Sequence, residues 1–161
     1  MSQLALKDSF AVGQVTPSIL LYEPIFEGWL TAVYQVYERK MQHDESLQLI
    51  SEDRYIPSLI SNATSVTTDD EQAQRVLKKL NKLLGRSGMR QILWGFLSEK
   101  PNIGTTLFHI IKYAIDYPKR NILEDLGHLD VLELAQTVKS VHREKHRMEA
   151  FVRCEHTTDD I

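Results

Sequence analysis

The sequence predicts a mainly α-helical fold: a single-domain helical bundle of the α+β kind, with one or two minor short strands and a long C-terminal helix. Three observations carry that expectation. Beyond Phe26, apolar residues recur at spacings of three and four through most of the chain, the period of a helix that buries one face. Only two stretches, SILLYE and LQLI, read as apolar runs of strand length. Finally, Val131, Leu134, Val138, Val141, Met148 and Val152 step by three and four along one helix, with Lys145 the one polar member of the series. Hydrophobic residues at 42% and charged residues at 25% give the composition of a globular protein rather than a disordered one.

Residues 1–17 mix small, polar and apolar types without a period and read as a flexible leader ending at Pro17. SILLYE at 18–23, between two prolines, is the first strand. Phe26, Leu30, Val33, Tyr34 and Tyr37 set a helix at about 25–41, with Arg39 and Lys40 where a helix C-terminus favours positive charge. The segment 42–68 has no sustained period and is interrupted by Pro57; LQLI within it is a second short strand. TTDDEQAQRVLKKLNKLLG then opens on cap and acidic residues, continues through Val76, Leu77, Leu80, Leu83 and Leu84, and stops at Gly85. A short apolar helix follows at 88–99, with Gly95 allowing close packing, and another at about 103–117, ended by Pro118. After a turn at 118–128 comes the final helix at 129–153, then a tail at 155–161. No repeat, low-complexity tract or linker divides the chain, so one helical domain is expected over 18–154.

The net charge of −3 argues against a protein that coats nucleic acid through overall basicity, while leaving room for a local basic patch. A lone cysteine, Cys154, holds neither an internal disulfide nor an iron–sulfur cluster, which fits a reducing compartment. The N-terminus has no secretory pattern and no run of about 18 apolar residues exists, so a cytoplasmic protein without membrane contact is expected. No cofactor is predicted.

The stretch VHREKHRMEAFVRC, 141–154, is the most informative. At about 100° per residue, Lys139, His142, Arg143, His146, Arg147 and Arg153 share one arc beside a narrower apolar arc. From 139 to 153 five Lys or Arg stand against Glu144 and Glu149, a local +3 in a chain of −3. The ordinary meaning of such a pattern is a solvated face whose late positive charges complement the helix dipole. The functional meanings are phosphate or nucleic-acid contact, favoured by counterion release, and a protein partner. His142 and His146 have the i, i+4 spacing of zinc ligands, but HREKH lacks the glutamate position of metalloprotease signatures. His142-Arg143-Glu144 matches half of the zinc deaminase signature, which also needs a cysteine pair. No metal site is predicted.

Other patterns are weaker. KPNIGTTLF at 100–108 is similar to the hairpin of helix-hairpin-helix DNA-binding units, with Gly104 present and Asn102 where a second glycine is wanted. The Gly85-Arg86-Ser87-Gly88 turn lacks the ending of a phosphate loop and reads as a helix connection. Trp29, Tyr34 and Tyr37 at helical spacing are expected in the core rather than on a base-stacking surface. No nucleophile elbow or orienting carboxylate marks a hydrolytic triad.

Three blocks together resemble the domain-of-unknown-function 4130 family of bacterial proteins, whose members are described as probable DNA metabolism proteins: LLYEPIFEGWLTAVYQVYERK at 20–40, TTDDEQAQRVLKKL at 67–80 and VHREKHRMEAFVR at 141–153. The third holds a glutamate–x–His–Arg core, Glu144, His146 and Arg147. The resemblance implies a setting beside a radical S-adenosylmethionine protein of DNA modification or repair, and implies no catalytic residue. It singles out Glu144, His146, Arg147, Phe151 and Arg153. The chain is shorter at its C-terminus than the family pattern, which is expected to leave the SILLYE strand without a neighbour and to favour a homo-oligomer or a bound partner.

The expected function is an accessory factor in bacterial DNA metabolism or repair, more a binding protein than an enzyme on its own. It would bind DNA or a radical SAM DNA-modification protein through Lys139, His142, Arg143, Glu144, His146, Arg147, Phe151 and Arg153. The alternatives are a helical protein-interaction module without nucleic-acid binding and an enzyme subunit with a shared active site.

Overall fold

The computed structural model describes residues 16–159, with side chains through Lys145. All of the expected leader except Thr16 and Pro17 lies outside the described residues. Chain contacts divide into two compact units, Met1–Leu77 and Lys78–Ile161. The division falls inside a helix, where no Pro-, Gly- or Ser-rich tract would mark it.

The first unit holds β1 (Ser18–Tyr22), α1 (Phe26–Glu38), β2 (Gln48–Ser51), a 3-10 turn (Glu52–Arg54), β3 (Asn62–Val66) and the opening turns of α2 (Asp70–Leu97). Its three strands form a parallel sheet in the order β2-β1-β3, so the architecture is α/β and the expected helical bundle is corrected. Parallel pairing follows from the connections: β1 reaches β2 only by a crossover, which α1 supplies. Leu20 pairs with Leu49 on one side and Thr64 on the other. The SILLYE strand is therefore central, with a neighbour on both sides, and not the open strand expected from the sequence.

Leu20, Tyr22, Leu49 and Val66 alternate onto one buried face, against which α1 packs with Trp29, Leu30, Ala32, Val33 and Val36. The opposite face is thinner: Ile19 is buried, Leu21 and Ile50 are half-buried, and Gln48 and Ser65 are exposed. The connection from β2 to β3 carries only a 3-10 turn where an α/β sheet usually places a helix. Helix α1 ends at Glu38, ahead of Arg39 and Lys40; the Arg39 and Lys40 amides close it onto the Gln35 and Tyr37 carbonyls, and Lys40 adopts φ 57°. Thr31, fully buried, donates to the Glu27 carbonyl at 2.8 Å and accepts from the Asp69 amide at 3.2 Å, tying α1 to the start of α2.

Burial pushes the Tyr22 phenol up to about 12; the Arg54 guanidinium opposes that rise and the Asp53 carboxylate adds to it. A phenol that holds its proton more tightly when folded contributes stability that is complete below pH 10 and disappears as pH climbs from about 10 to 12. Two units at about 1.4 kcal/mol each set the ceiling near 3 kcal/mol. Tyr22→Phe is expected to flatten the loss of stability over that window, as read from urea midpoints at pH 9 to 12. An unchanged alkaline slope would place the titration elsewhere.

The second unit holds the rest of α2, α3 (Ile103–Asp116), a 3-10 turn (Ile122–Glu124) and α4 (Leu129–Asp159). Gly85, at φ 72° and ψ −178°, breaks α2 in a backbone region that only glycine enters without strain. This is the stop expected from the sequence, although the helix resumes at once rather than at residue 88. Leu80, Met89, Ile92, Leu107, Ile110, Ile111, Val131 and Leu134 form the core. A methyl group on Gly95 would lie 2.6 Å from Leu134 Cδ1 and 3.2 Å from Leu107 Cδ2, so the absent side chain is what lets the helices close up. Helix α4 runs through Asp159, past its expected end at 153, since CEHTTD contains neither glycine nor proline to stop it. Among the described residues no helix is long and apolar enough to cross a membrane.

Candidate functional site

Helix α4 seats Val131, Leu134 and Thr137 in the core, with Val138 and Val141 half-buried. Thr137 is tolerated there because its hydroxyl donates to the Glu133 carbonyl at 2.8 Å. With that side fixed, Lys139, His142 and Arg143 fall on an exposed strip about 100° wide. Glu144 is exposed as well, but about 100° beyond Arg143 and off the strip. Among the described residues no ion pair engages Lys139 or Arg143. His146, Arg147, Phe151 and Arg153 belong to the same helix, and their side chains lie outside the described residues.

His142 does more than face water. Its ring stacks on Trp94 of α2, with centroids 4.4 Å apart and planes 28° from parallel. Lys145 Nζ stands 5.3 Å from the centre of the same indole. Lys145, the polar member of an apolar series, thus has a physical account: the surface that its position meets is an aromatic face, which attracts a cation.

A second constellation was not read from the sequence. Tyr113 of α3 donates its hydroxyl to Asp125 Oδ2 at 2.7 Å, and that bond, before any burial, raises its phenol above the usual range. The His128 ring stacks on Tyr113 at 4.7 Å and 25°. His109 Nδ1 and His128 Nδ1 both approach Asp130 Oδ2, at 3.4 Å and 3.9 Å. His128 Nδ1 is closed off from solvent and has no hydrogen-bond partner. The signals available were modest: His109 and Tyr113 at i, i+4 on one helix, and a His-x-Asp step at its successor's start. Among the described residues no three His, Cys, Asp or Glu are arranged to hold a metal ion.

In the first unit, the carboxyl ends of the strands are where open α/β sheets usually take ligands. Here Thr68 Oγ1 donates to Glu23 Oε2 at 2.9 Å across the two loops, and Glu27, Asp69 and Asp70 line the helix starts. That much carboxylate disfavours a phosphate. Below it, an open groove of about 460 Å³ is lined by Pro17, Ile19, Ile50, Tyr55, Ile56 and Ile60 among others. Ile56, Leu59 and Ile60 are 85%, 108% and 75% exposed. Trp29, by contrast, is wholly buried and offers no stacking surface, and Gly104 is buried inside α3 rather than displayed on a hairpin.

Residues 101–161 match the family model of a domain of unknown function, DUF4130. No curated protein and no solved structure matches the chain. The matched stretch contains α3, α4 and the turn between them, hence both the basic strip and the His109–His128–Asp130 cluster. The blocks at 20–40 and 67–80 lie outside it.

Proposed function

We propose that the DUF4130 domain at 101–161 makes this protein an accessory factor in bacterial DNA metabolism or repair, binding through α4 rather than catalysing a reaction by itself. The observation that supports this reading most is the exposed strip of Lys139, His142 and Arg143, with no described counter-ion on either cation, in a chain whose overall charge is −3. Segregated cations of this kind gain affinity for a polyphosphate by releasing condensed counterions. Arg147 and Arg153 fall on the same arc by helix geometry. The resemblance read from the sequence makes a radical SAM DNA-modification protein the partner to examine alongside DNA.

Fluorescence anisotropy with a short labelled DNA duplex tests the reading. Binding is expected to weaken steeply between 50 and 200 mM salt, and Arg143→Glu with Arg147→Glu is expected to lower the salt slope by about 2 and the affinity by at least about ten-fold. Affinity indifferent to salt, or to the double substitution, would reject it.

A protein-interaction module without nucleic-acid contact is the second reading, and the exposed Ile56, Leu59 and Ile60 favour it. A partner retained by the double arginine variant and lost on Leu59→Asp with Ile60→Asp would decide for that alternative.

A further inference from the structure

We infer that His142, backed by Trp94, is a stacking platform for an unpaired base, so that the nucleic acid taken by α4 is single-stranded. This rests on the reading of α4 as a nucleic-acid face and names the substrate class within it.

One face of the imidazole lies against the indole at 4.4 Å, and the residue as a whole is exposed, which leaves ring surface for a base to meet. Trp94 is half-buried on α2 and receives Lys145 Nζ at 5.3 Å as well as the imidazole, so α4 meets the indole at two positions. The ordering cost of a stacking side chain is already met before a ligand arrives, which is the condition under which a single aromatic contact adds affinity. Histidine belongs to the set of rings on which unstacked bases lie in nucleic-acid complexes. Lys139, three residues before His142, lies beside it on the exposed strip and Arg143 lies beyond Lys139, so the ring stands at the strip's edge with both cations to one side, where they meet the phosphates next to a stacked base. A duplex keeps its bases inside and can use only the cations; a single strand uses the cations and the ring together.

The test compares three eight-nucleotide probes on the full chain at low salt: oligothymidylate, a backbone of the same length without bases, and a duplex. Wild-type protein is expected to bind oligothymidylate roughly ten-fold more tightly than the abasic backbone. Trp94 emission should respond to the thymidylate, because the other tryptophan, Trp29, is fully buried. His142→Ala should bring oligothymidylate binding down to the level of the abasic backbone, and His142→Phe should restore the preference. Equal affinity for thymidylate and abasic probes, tighter binding of the duplex, or a preference that survives His142→Ala overturns the platform while sparing the basic-strip reading. Failure of all three probes to bind overturns both.

Discussion

Gly28→Ala is expected to destabilise the first unit by about 3 kcal/mol, the upper end of the cost of overpacking. A methyl group at position 28 would stand 2.5 Å from the Glu23 carbonyl oxygen and 3.2 Å from the Glu23 carbonyl carbon and Cβ. The obstacle is backbone, and backbone here cannot retreat. Glu23 directly follows β1, which is hydrogen-bonded to β2 on one side and β3 on the other. Its carbonyl accepts the Ile25 amide at 2.7 Å, and its carboxylate is held by Thr68 at 2.9 Å. The helix could move instead, but Trp29 and Leu30, the next two residues, are buried to 0% and 1% exposure against the sheet. Urea denaturation followed by far-UV circular dichroism should show the midpoint falling for Gly28→Ala and falling at least as far for Gly28→Ser. A midpoint equal to the parent's would show that the turn after β1 yields where the hydrogen bonds say that it is fixed.

The same turn illustrates what the sequence disclosed. Phe26, Leu30, Val33 and Tyr37 announced α1 because a helix that buries one face must repeat at its own period, and α3 and the first half of α4 were readable for the same reason. The parallel sheet was not. Strand β3, NATSV, buries only Val66 and owes its conformation to hydrogen bonds with β1, a partner far away in the chain. Such pairing leaves no local apolar signature, and without β3 a central strand looks like an edge. The candidate site divides in the same way. The basic strip lies along one helix and follows from its spacing. The contact of His142 and Lys145 with Trp94, and the meeting of His109, His128 and Asp130, join separate elements, so neither could be read by counting residues along one of them.

Trp29→Ala is expected to cost about 3–5 kcal/mol, the range for emptying a buried aromatic position. The indole is fully buried and stacks with Phe26 at 5.7 Å and 19°, so its removal opens a cavity and also takes a stacking contact from a second aromatic ring. Neither element it joins stands well alone: a 13-residue helix is marginal in water, and three strands of four or five residues need a packed apolar face. With Tyr22, Leu20, Leu49 and Val66 all turned toward α1, the largest side chain of the helix is what their buried face closes on. Trp29→Phe keeps an aromatic ring in the same slot and should lose distinctly less than the alanine variant. Urea midpoints for the two variants, followed through Trp94 emission and circular dichroism, measure the difference. A loss under about 1 kcal/mol for Trp29→Ala would mean that the site collapses around the missing indole, and that the sheet draws its stability from β1 and its two neighbours rather than from the helix above it.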